Sequence, residues 1–218
     1  LAALSALREK PSGTVRLAAT EYAAEEVLWP AIARLLPDYP DISVEILIDY
    51  GLTNIVQDRF DAGVRPGGTV AKDMIAVPIS PPLRMGVAAS PAYFARRLPP
   101  DTPQDLVDHL CINLRLPTHG GLYAWEFERD GQAMAVRVNG PLVFNTSHML
   151  LRAALDGCGL IYLTEGQLGP YLDDGRLVRV LEDWCEPFSG YHLYYPSRRQ
   201  PTAAFALLVE ALRYRDRS

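Results

Sequence analysis

The sequence predicts an α/β fold with two lobes, and three observations support that prediction. Short β-branched or apolar runs alternate with longer amphipathic segments along most of the chain, which is typical of parallel strands covered by helices. Hairpin signals interrupt this alternation in the middle of the chain and indicate a second, more irregular lobe. With 218 residues, 49% of them hydrophobic, the chain is long enough to bury one or two cores.

Eight strands are predicted from the β-branched and apolar runs. They are Thr14–Ala19, Ile42–Ile48, Ala62–Arg65, Met74–Ile79, Arg84–Ala89, Cys111–Leu114, Gly159–Leu163 and Tyr191–Tyr195. A hairpin is predicted where Asp130-Gly131 separates Tyr123–Arg129 from Gln132–Val138, because Asp-Gly is a strong two-residue turn signal.

Helices are predicted between most of these strands. They are Ala23–Leu36, Asn54–Phe60, Pro91–Arg96, Pro103–Val107, Ser147–Asp156 and Pro201–Arg213. Pro30 lies inside the first of them and lacks a backbone donor, so we expect it to kink that helix or to delay its start to near Trp29.

Composition excludes several classes of protein. The formal net charge is −5 and the pI is about 5.4, so the chain has no basic field with which to bind nucleic acid. No apolar run approaches the ~20 residues that span a bilayer. The three cysteines, Cys111, Cys158 and Cys185, show no C-x-x-C spacing, so we expect packed structural thiols in a reducing cytoplasm.

Motifs for catalysis, cofactors and metals are missing from the sequence. The chain has only two lysines and no phosphate-binding G-x-x-x-x-G-K-[ST] loop, and it has no G-x-S-x-G nucleophile elbow. The four histidines, His109, His119, His148 and His192, lack metal-ligand spacing. We therefore expect no catalytic residue, no cofactor and no metal.

Polar residues follow three predicted strands or precede the next helix. These stretches are Thr20-Glu21-Tyr22, Asp49 to Thr53, and Phe144 to Ser147. In open α/β sheets, ligands lie beyond the carboxyl ends of strands, where such loops converge. The alternative is that Thr20, Thr146 and Ser147 are plain helix N-caps and that Glu21 complements the helix dipole.

An arginine and several aromatic residues complete this candidate site. Arg65 ends a predicted strand and either pairs with Glu21 or Asp49, or holds a ligand carboxylate through its guanidinium fork. The aromatic residues are either core and rim residues or ligand platforms; they are Tyr22, Tyr50, Tyr123 and Trp125.

Several stretches in a specific order resemble the effector-binding region of LysR-type transcriptional regulators. They include REKPSGTVRLAAT, LWPAIARLLPDYPDISVEI, RFDAGVRPGG, VAKDMIAVPI, LYAWEFERDG, LLRAALDGCGLIYL and LVRVLEDWCEPFSGYHLYYPSRRQPTAAFALLVEAL. The resemblance covers about Arg8 to Leu212.

The resemblance implies a fold like that of type 2 periplasmic binding proteins, with two Rossmann-like lobes joined by two crossing segments. Residues 1–11 would end a linker helix, residues 12–82 and 191–218 would form the first lobe, and residues 83–190 the second. An N-terminal winged helix-turn-helix, absent from this sequence, would bind DNA. The outer face of the first helix would contribute to dimer contacts, which gives Trp29 an interface role; the alternative is a partly covered core tryptophan.

The resemblance also implies which residues bind an effector. They are Thr20, Glu21, Tyr22, Tyr50, Gly51, Leu52, Thr53, Arg65, Arg115, Leu116, Thr118, Asn145, Thr146 and Ser147. Glu21 and Asp49 disfavour a polyanion, so we expect a small polar or aromatic compound with at most one carboxylate. The effector would change the geometry of a homodimer or homotetramer in the cytoplasm. The alternative function is a solute-binding receptor of a transport system with the same fold.

Overall fold

The chain folds into two compact units. The computed structural model describes residues 10–49, 55, 57–67, 73–116, 121–198 and 200–215. Unit 1 comprises Leu1–Pro82 and Ser189–Ser218, and unit 2 comprises Leu83–Phe188. Residues 189 and 190, which we expected in the second lobe, lie in unit 1, where the N–H of Gly67 donates to the carbonyl of Gly190 at 2.7 Å. Except for Lys10 and Pro11, the expected linker-helix end lies outside the described residues.

Unit 1 is built on a five-stranded sheet in the order β2-β1-β3-β12-β4. The bounds of these strands are β1 Gly13–Ala19, β2 Ile42–Ile48, β3 Ala62–Pro66, β4 Met74–Pro78 and β12 Tyr191–Pro196. Strands β2 and β3 pair with β1 in parallel, whereas β12 runs antiparallel to both β3 and β4. The prediction of a parallel sheet is therefore right for β1 to β3 and wrong for β12, because alternation along the chain does not determine the direction of a strand that returns from the other unit.

The first helix of unit 1, α1, changes its hydrogen-bond pattern before Pro30. It consists of a π-helical segment, Ala23–Leu28, and an α-helical segment, Trp29–Leu35. The N–H of Trp29 donates to the carbonyl of Ala24, five residues back. Because Pro30 offers no N–H, a wide turn before it accommodates the missing donor. The helix does not begin near Trp29, since Glu21 and Tyr22 are already helical.

The rest of unit 1 differs from the sequence prediction at one helix. A 3₁₀ turn, Leu36–Asp38, follows α1. The predicted helix 54–60 is wrong over its described residues, where residues 57 to 59 form a turn and the N–H of Phe60 donates to the carbonyl of Ile55 at 2.8 Å. The last helix, Ala203–Leu212, buries Phe205, Leu208 and Leu212, as its apolar spacing predicted.

The described residues of unit 2 form three small sheets. Strand β5 (Met85–Ala89) is flanked by β10 (Ile161–Thr164) and β11 (Val178–Val180), and both neighbours are antiparallel to it. Strands β6 (Asn113–Leu114) and β9 (Val143–Phe144) pair in parallel. Strands β7 (Trp125–Arg129) and β8 (Gln132–Val136) form the predicted hairpin, with positive φ at Asp130 and Gly131.

Helical segments lie between the strands of unit 2. They are α2 (Pro91–Phe94), a 3₁₀ segment (Pro103–Asp108), α3 (Ser147–Leu155) and α4 (Glu165–Asp173), followed by a 3₁₀ turn at Glu182–Trp184. The last helix of unit 1, Ala203–Leu212, is α5. Helix α4 was not predicted, because Gly166, Gly169 and Pro170 are poor helix formers; its Leu168 is fully buried in the core of unit 2.

Candidate functional site

In unit 1, the predicted ligand loops follow neighbouring parallel strands. Ala18 of β1 is in register with Gly63 of β3, and the N–H of Asp49, just after β2, donates to the carbonyl of Ala19 at 2.8 Å. Thr20 and Arg65 therefore lie at the same level of adjacent strands. Four further predicted residues, Tyr50, Gly51, Leu52 and Thr53, lie outside the described residues.

Thr20 begins the first helix and reaches strand β12. Its hydroxyl oxygen accepts a hydrogen bond from the N–H of Ala23 at 3.4 Å and lies 3.4 Å from the phenol oxygen of Tyr191. The interpretation of Thr20 as a helix cap therefore has direct support. The same hydroxyl therefore lies beside a buried phenol group, since the side chain that carries it, Tyr191, is only 3% exposed.

The two residues that follow Thr20 are half-buried and helical. The ring of Tyr22 lies 6.2 Å from that of Tyr191, with the ring planes tilted by 41°. Glu21 precedes the π-helical segment, where a carboxylate complements the positive end of a helix dipole. Tyr191 thus packs beside the start of α1. Tyr191 was not predicted as a site residue, because its strand alternates as a core strand does.

Arg65 contacts a second tyrosine of strand β12. Its guanidinium hydrogen-bonds to the phenol of Tyr194; burial raises the pKa of Tyr194, and the charge of Arg65 opposes that rise. The ring of Tyr194 lies over Gly63, where an added Cβ would sit 3.1 Å from a ring carbon. The missing side chain at Gly63 therefore leaves the space that this ring occupies. Tyr194 was also missed from the sequence.

In unit 2, two further predicted loops lie side by side. The N–H of Arg115 donates to the carbonyl of Phe144 at 2.8 Å, directly beyond the parallel pair β6 and β9. This contact brings Arg115 and Leu116 next to the stretch Asn145 to Ser147. Thr118 lies outside the described residues.

The start of helix α3 carries no acidic side chain in its first turn. Thr146 occupies the N-cap position with an extended backbone, but its hydroxyl makes no capping hydrogen bond. The interpretation of Thr146 as a residue that caps the helix through its side chain is therefore wrong. Ser147 is 4% exposed, and Asn145 is exposed.

The aromatic residues of unit 2 belong to the core rather than to a ligand platform. Trp125 is 2% exposed and stacks on Tyr162 with ring centroids 5.4 Å apart. The phenol of Tyr123 donates to Glu126 at 2.8 Å, and burial raises the pKa of Tyr123 far above its usual value. Of the two interpretations of Trp125, the structure supports the core residue.

Two of the three cysteines are packed as predicted. Burial raises the pKa of Cys111 to about 12 and that of Cys185 to about 11. Cys158 is exposed, so the prediction of a packed thiol is wrong there; it follows Gly157, whose positive φ ends helix α3 at the surface. Within the described ranges, no three His, Cys, Asp or Glu side chains lie close enough to hold a metal ion.

Comparison with known proteins decides the family. The family model described as LysR substrate binding domain matches residues 8–217. The chain belongs to the LysR substrate-binding domain family. This LysR substrate-binding domain has a type 2 periplasmic-binding-like fold, as its resemblance implied.

Relatives of this LysR domain carry the names of transcriptional regulators. A putative transcriptional regulator of Pseudomonas aeruginosa is 57% identical over 211 residues, which cover 97% of this chain and 69% of that protein. The HTH-type transcriptional regulator PgrR of Escherichia coli is 44% identical over 215 residues, which cover 99% of this chain and 72% of PgrR. The family is non-enzymatic, and this domain is therefore not an enzyme.

Solved structures share the fold of this LysR domain. CrgA, a LysR-type transcriptional regulator from Neisseria meningitidis, aligns with a TM-score of 0.77 at 23% identity, covering 96% of this chain and 72% of CrgA. The regulatory domain of AphB in Vibrio vulnificus aligns with a TM-score of 0.72 at 21% identity, covering 94% of this chain and 98% of the AphB domain. Among the described helices of this domain, none has the length and apolarity needed to cross a membrane.

Proposed function

We propose that this LysR domain senses a small polar or aromatic compound with at most one carboxylate, held by polar loops of both units. One observation carries the proposal: within each unit, the expected loops lie together beyond parallel strands. In unit 1 these are the loops at Thr20 and Arg65, and in unit 2 those at Arg115 and Asn145. Ligands of open α/β sheets lie at such carboxyl ends.

The charges of the two sets of loops support a ligand with one carboxylate. The loops of unit 1 combine Glu21 and Asp49 with one guanidinium, that of Arg65, which disfavours a second anionic group. In unit 2, Arg115 lies beside a helix start without acidic residues, and a helix N-terminus favours an anion. A compound with one carboxylate and a polar or aromatic body suits both sets of charges.

Regulation requires the effector to bind one arrangement of the units better than another. A differential of ~1–3 kcal/mol is typical of such coupling. We propose that this differential changes the geometry of a homodimer or homotetramer in the cytoplasm. This change would reposition N-terminal helix-turn-helix domains on DNA. We assign DNA binding to those domains because a domain with a net charge of −5 binds DNA poorly by itself.

A thermal-shift screen tests the effector site. The panel contains aromatic acids, small aliphatic carboxylates, amino acids and sugars, and a ligand at ~100 times its dissociation constant adds ~2.7 kcal/mol to the free energy of unfolding. We expect one chemical class to raise the melting temperature of the wild-type domain. The shift should be lost in both Thr20→Ala and Thr146→Ala.

A threonine outside the proposed site provides the control. Thr202 caps helix α5 by accepting a hydrogen bond from the N–H of Phe205 at 3.2 Å. Thr202→Ala therefore loses a cap, as Thr20→Ala does, but should keep the ligand-induced shift. If hits survive both site variants, or vanish equally in Thr202→Ala, the effector site is wrongly assigned.

Sedimentation separates the sensor from the alternative, a transport receptor. A regulator domain should sediment as a dimer or larger, whereas a solute receptor works as a monomer. The names of the relatives favour the regulator. A monomer at all concentrations that still binds a solute would favour the receptor.

A further inference from the structure

Unit 1 contains an open groove that none of the proposed effector residues lines. It encloses about 520 Å³ between helix α1 and the segment that follows helix α5. A volume of this size lies within the range of small-molecule sites. The N–H of Tyr214 donates to the carbonyl of Pro78 at 2.8 Å, so a backbone hydrogen bond to the sheet anchors one wall of the groove.

The floor of the groove is apolar and close-packed. Ile79 and Leu212 are 5% and 4% exposed, and Ala31 is 7% exposed. Val27 lies one helical turn before Ala31 and completes the floor. These groups offer a surface for an apolar body, and none of them supplies a polar side chain.

Among the described residues that line the groove, the charged ones are all arginines. They are Arg34 on helix α1, and Arg213 and Arg215 after helix α5. Glu210 binds Arg213 at 3.2 Å and also contacts Arg215, whereas Arg34 has no ion-pair partner among the described residues. Among the described residues, a single carboxylate forms ion pairs within this set of three guanidiniums, on a domain whose net charge is −5.

Arginines near helix C-termini have a simpler explanation, since they complement the negative ends of helix dipoles. That explanation accounts for Arg34 and Arg213 taken singly. It does not account for three arginines that line the same recess as Ala31 and Leu212. A planar guanidinium fork matches a carboxylate, and an apolar floor matches a hydrocarbon or aromatic body.

We infer that this groove is an accessory site for an amphipathic organic anion, an aromatic or aliphatic carboxylate, distinct from the proposed effector site. The anionic group lies among the guanidiniums of Arg34, Arg213 and Arg215, and the apolar body covers Ala31 and Leu212. The assignment does not depend on the proposed function, because the groove shares no residue with the proposed effector loops.

The first experiment uses 8-anilinonaphthalene-1-sulfonate, an anion with an apolar body, whose fluorescence rises in an apolar site. Saturable binding to the folded domain should weaken about tenfold in Arg34→Gln and in Arg213→Gln, since each removes a charge-assisted hydrogen bond. Ala211→Phe should block binding without a cost in folding, because Ala211 lines the groove and is exposed. Octanoate should displace the probe, and octylamine at equal concentration should not.

Three variants outside the groove serve as controls for probe binding. Arg152→Gln removes an exposed guanidinium of unit 2, and Thr20→Ala and Thr146→Ala alter the proposed effector loops; all three should bind the probe as the wild type does. Probe binding that is unchanged in the three groove variants overturns the inference, as does displacement by octylamine as effective as that by octanoate. Binding lost in Thr20→Ala or Thr146→Ala assigns the probe to the effector loops and likewise overturns it.

Discussion

The phenol oxygen of Tyr93 lies 3.0 Å from Nδ1 of His109, within hydrogen-bond distance, inside unit 2. The same phenol oxygen accepts the N–H of Leu110 at 3.0 Å, and its own proton can be donated to a neutral imidazole. His109 is 9% exposed, and burial favours the neutral imidazole, whose Nδ1 can accept that proton. Protonation at Nδ1 would remove the acceptor on which the phenol depends.

The stability of unit 2 should consequently fall in mild acid. Burial, aided by the charge of Arg97, lowers the pKa of His109 below 6.5, against the opposing charges of Asp105 and Asp108. The unfolded chain then binds a proton at a higher pH than the folded one. Stability is complete above about pH 6.5 and is lost as the pH falls from there toward the lowered pKa.

Urea unfolding between pH 7.5 and pH 5 measures this effect. His109→Gln keeps a neutral acceptor and should flatten the pH dependence, whereas His148→Gln, at an exposed position, should leave it as in the wild type. An unchanged pH slope in His109→Gln would show that His109 is not the titrating group.

Replacing Arg179 should lower the free energy of unfolding less than replacing its carboxylate partners. Its side chain is 14% exposed and contacts Glu165 and Glu182, while its Nε and Nη2 are buried without partners among the described residues. Arg179→Met removes those two unsatisfied groups and leaves carboxylates that are 45% and 59% exposed and remain hydrated. We expect a change of less than ~1 kcal/mol in the free energy of unfolding, because a buried ion pair contributes little net stability.

Replacing both carboxylate partners should cost more stability than replacing Arg179. The double variant Glu165→Gln with Glu182→Gln leaves a buried guanidinium without a counter-charge, and we expect a loss of ~2 kcal/mol, reduced from the fully buried case because both carboxylates are partly exposed. Chemical denaturation of both variants compares the two losses. Equal losses would contradict this asymmetry.

Much of the fold was predictable because its long elements have clear periodicity. Strand β2 matches its prediction of Ile42–Ile48, and the turn at Asp130-Gly131 forms the predicted hairpin. Helix α4 was missed because burial of Leu168 outweighs the poor propensities of Gly169 and Pro170. Strands as short as β9 have too few residues for any pattern to appear.

The candidate site was predictable only at its loops. Polar residues after strands indicated Thr20 and Asn145, since the carboxyl ends of parallel strands share one edge. Tyr191 and Tyr194 were missed because strand β12 alternates as a core strand does, and alternation does not reveal that a phenol meets Thr20 or Arg65. Contacts between distant residues depend on strand order, which the sequence does not state.

Two glycine-to-alanine substitutions should change stability in opposite directions. A Cβ at Gly190 would lie 2.0 Å from the carbonyl oxygen of Pro81, and because that atom is backbone, unit 1 has to deform. At Gly169, inside helix α4, a Cβ meets no atom within 4 Å, so Ala should add ~1 kcal/mol through helix propensity. Thermal unfolding should therefore give a lower melting temperature for Gly190→Ala and a higher one for Gly169→Ala; the reverse order would contradict the packing described at Gly190.

The cysteines should differ sharply in reactivity. Thiolates react with alkylating agents, and burial holds the pKa of Cys111 at about 12 and that of Cys185 at about 11. Cys158 is exposed, so a thiol reagent at pH 8 should modify one thiol rapidly in the folded domain and all three in denaturant. Cys158→Ser should abolish the rapid phase, whereas Cys111→Ala should leave it intact. Two rapid thiols in the wild type would show that one of the buried sites opens on the timescale of labelling, which the packing of Cys111 and Cys185, both at most 3% exposed, argues against.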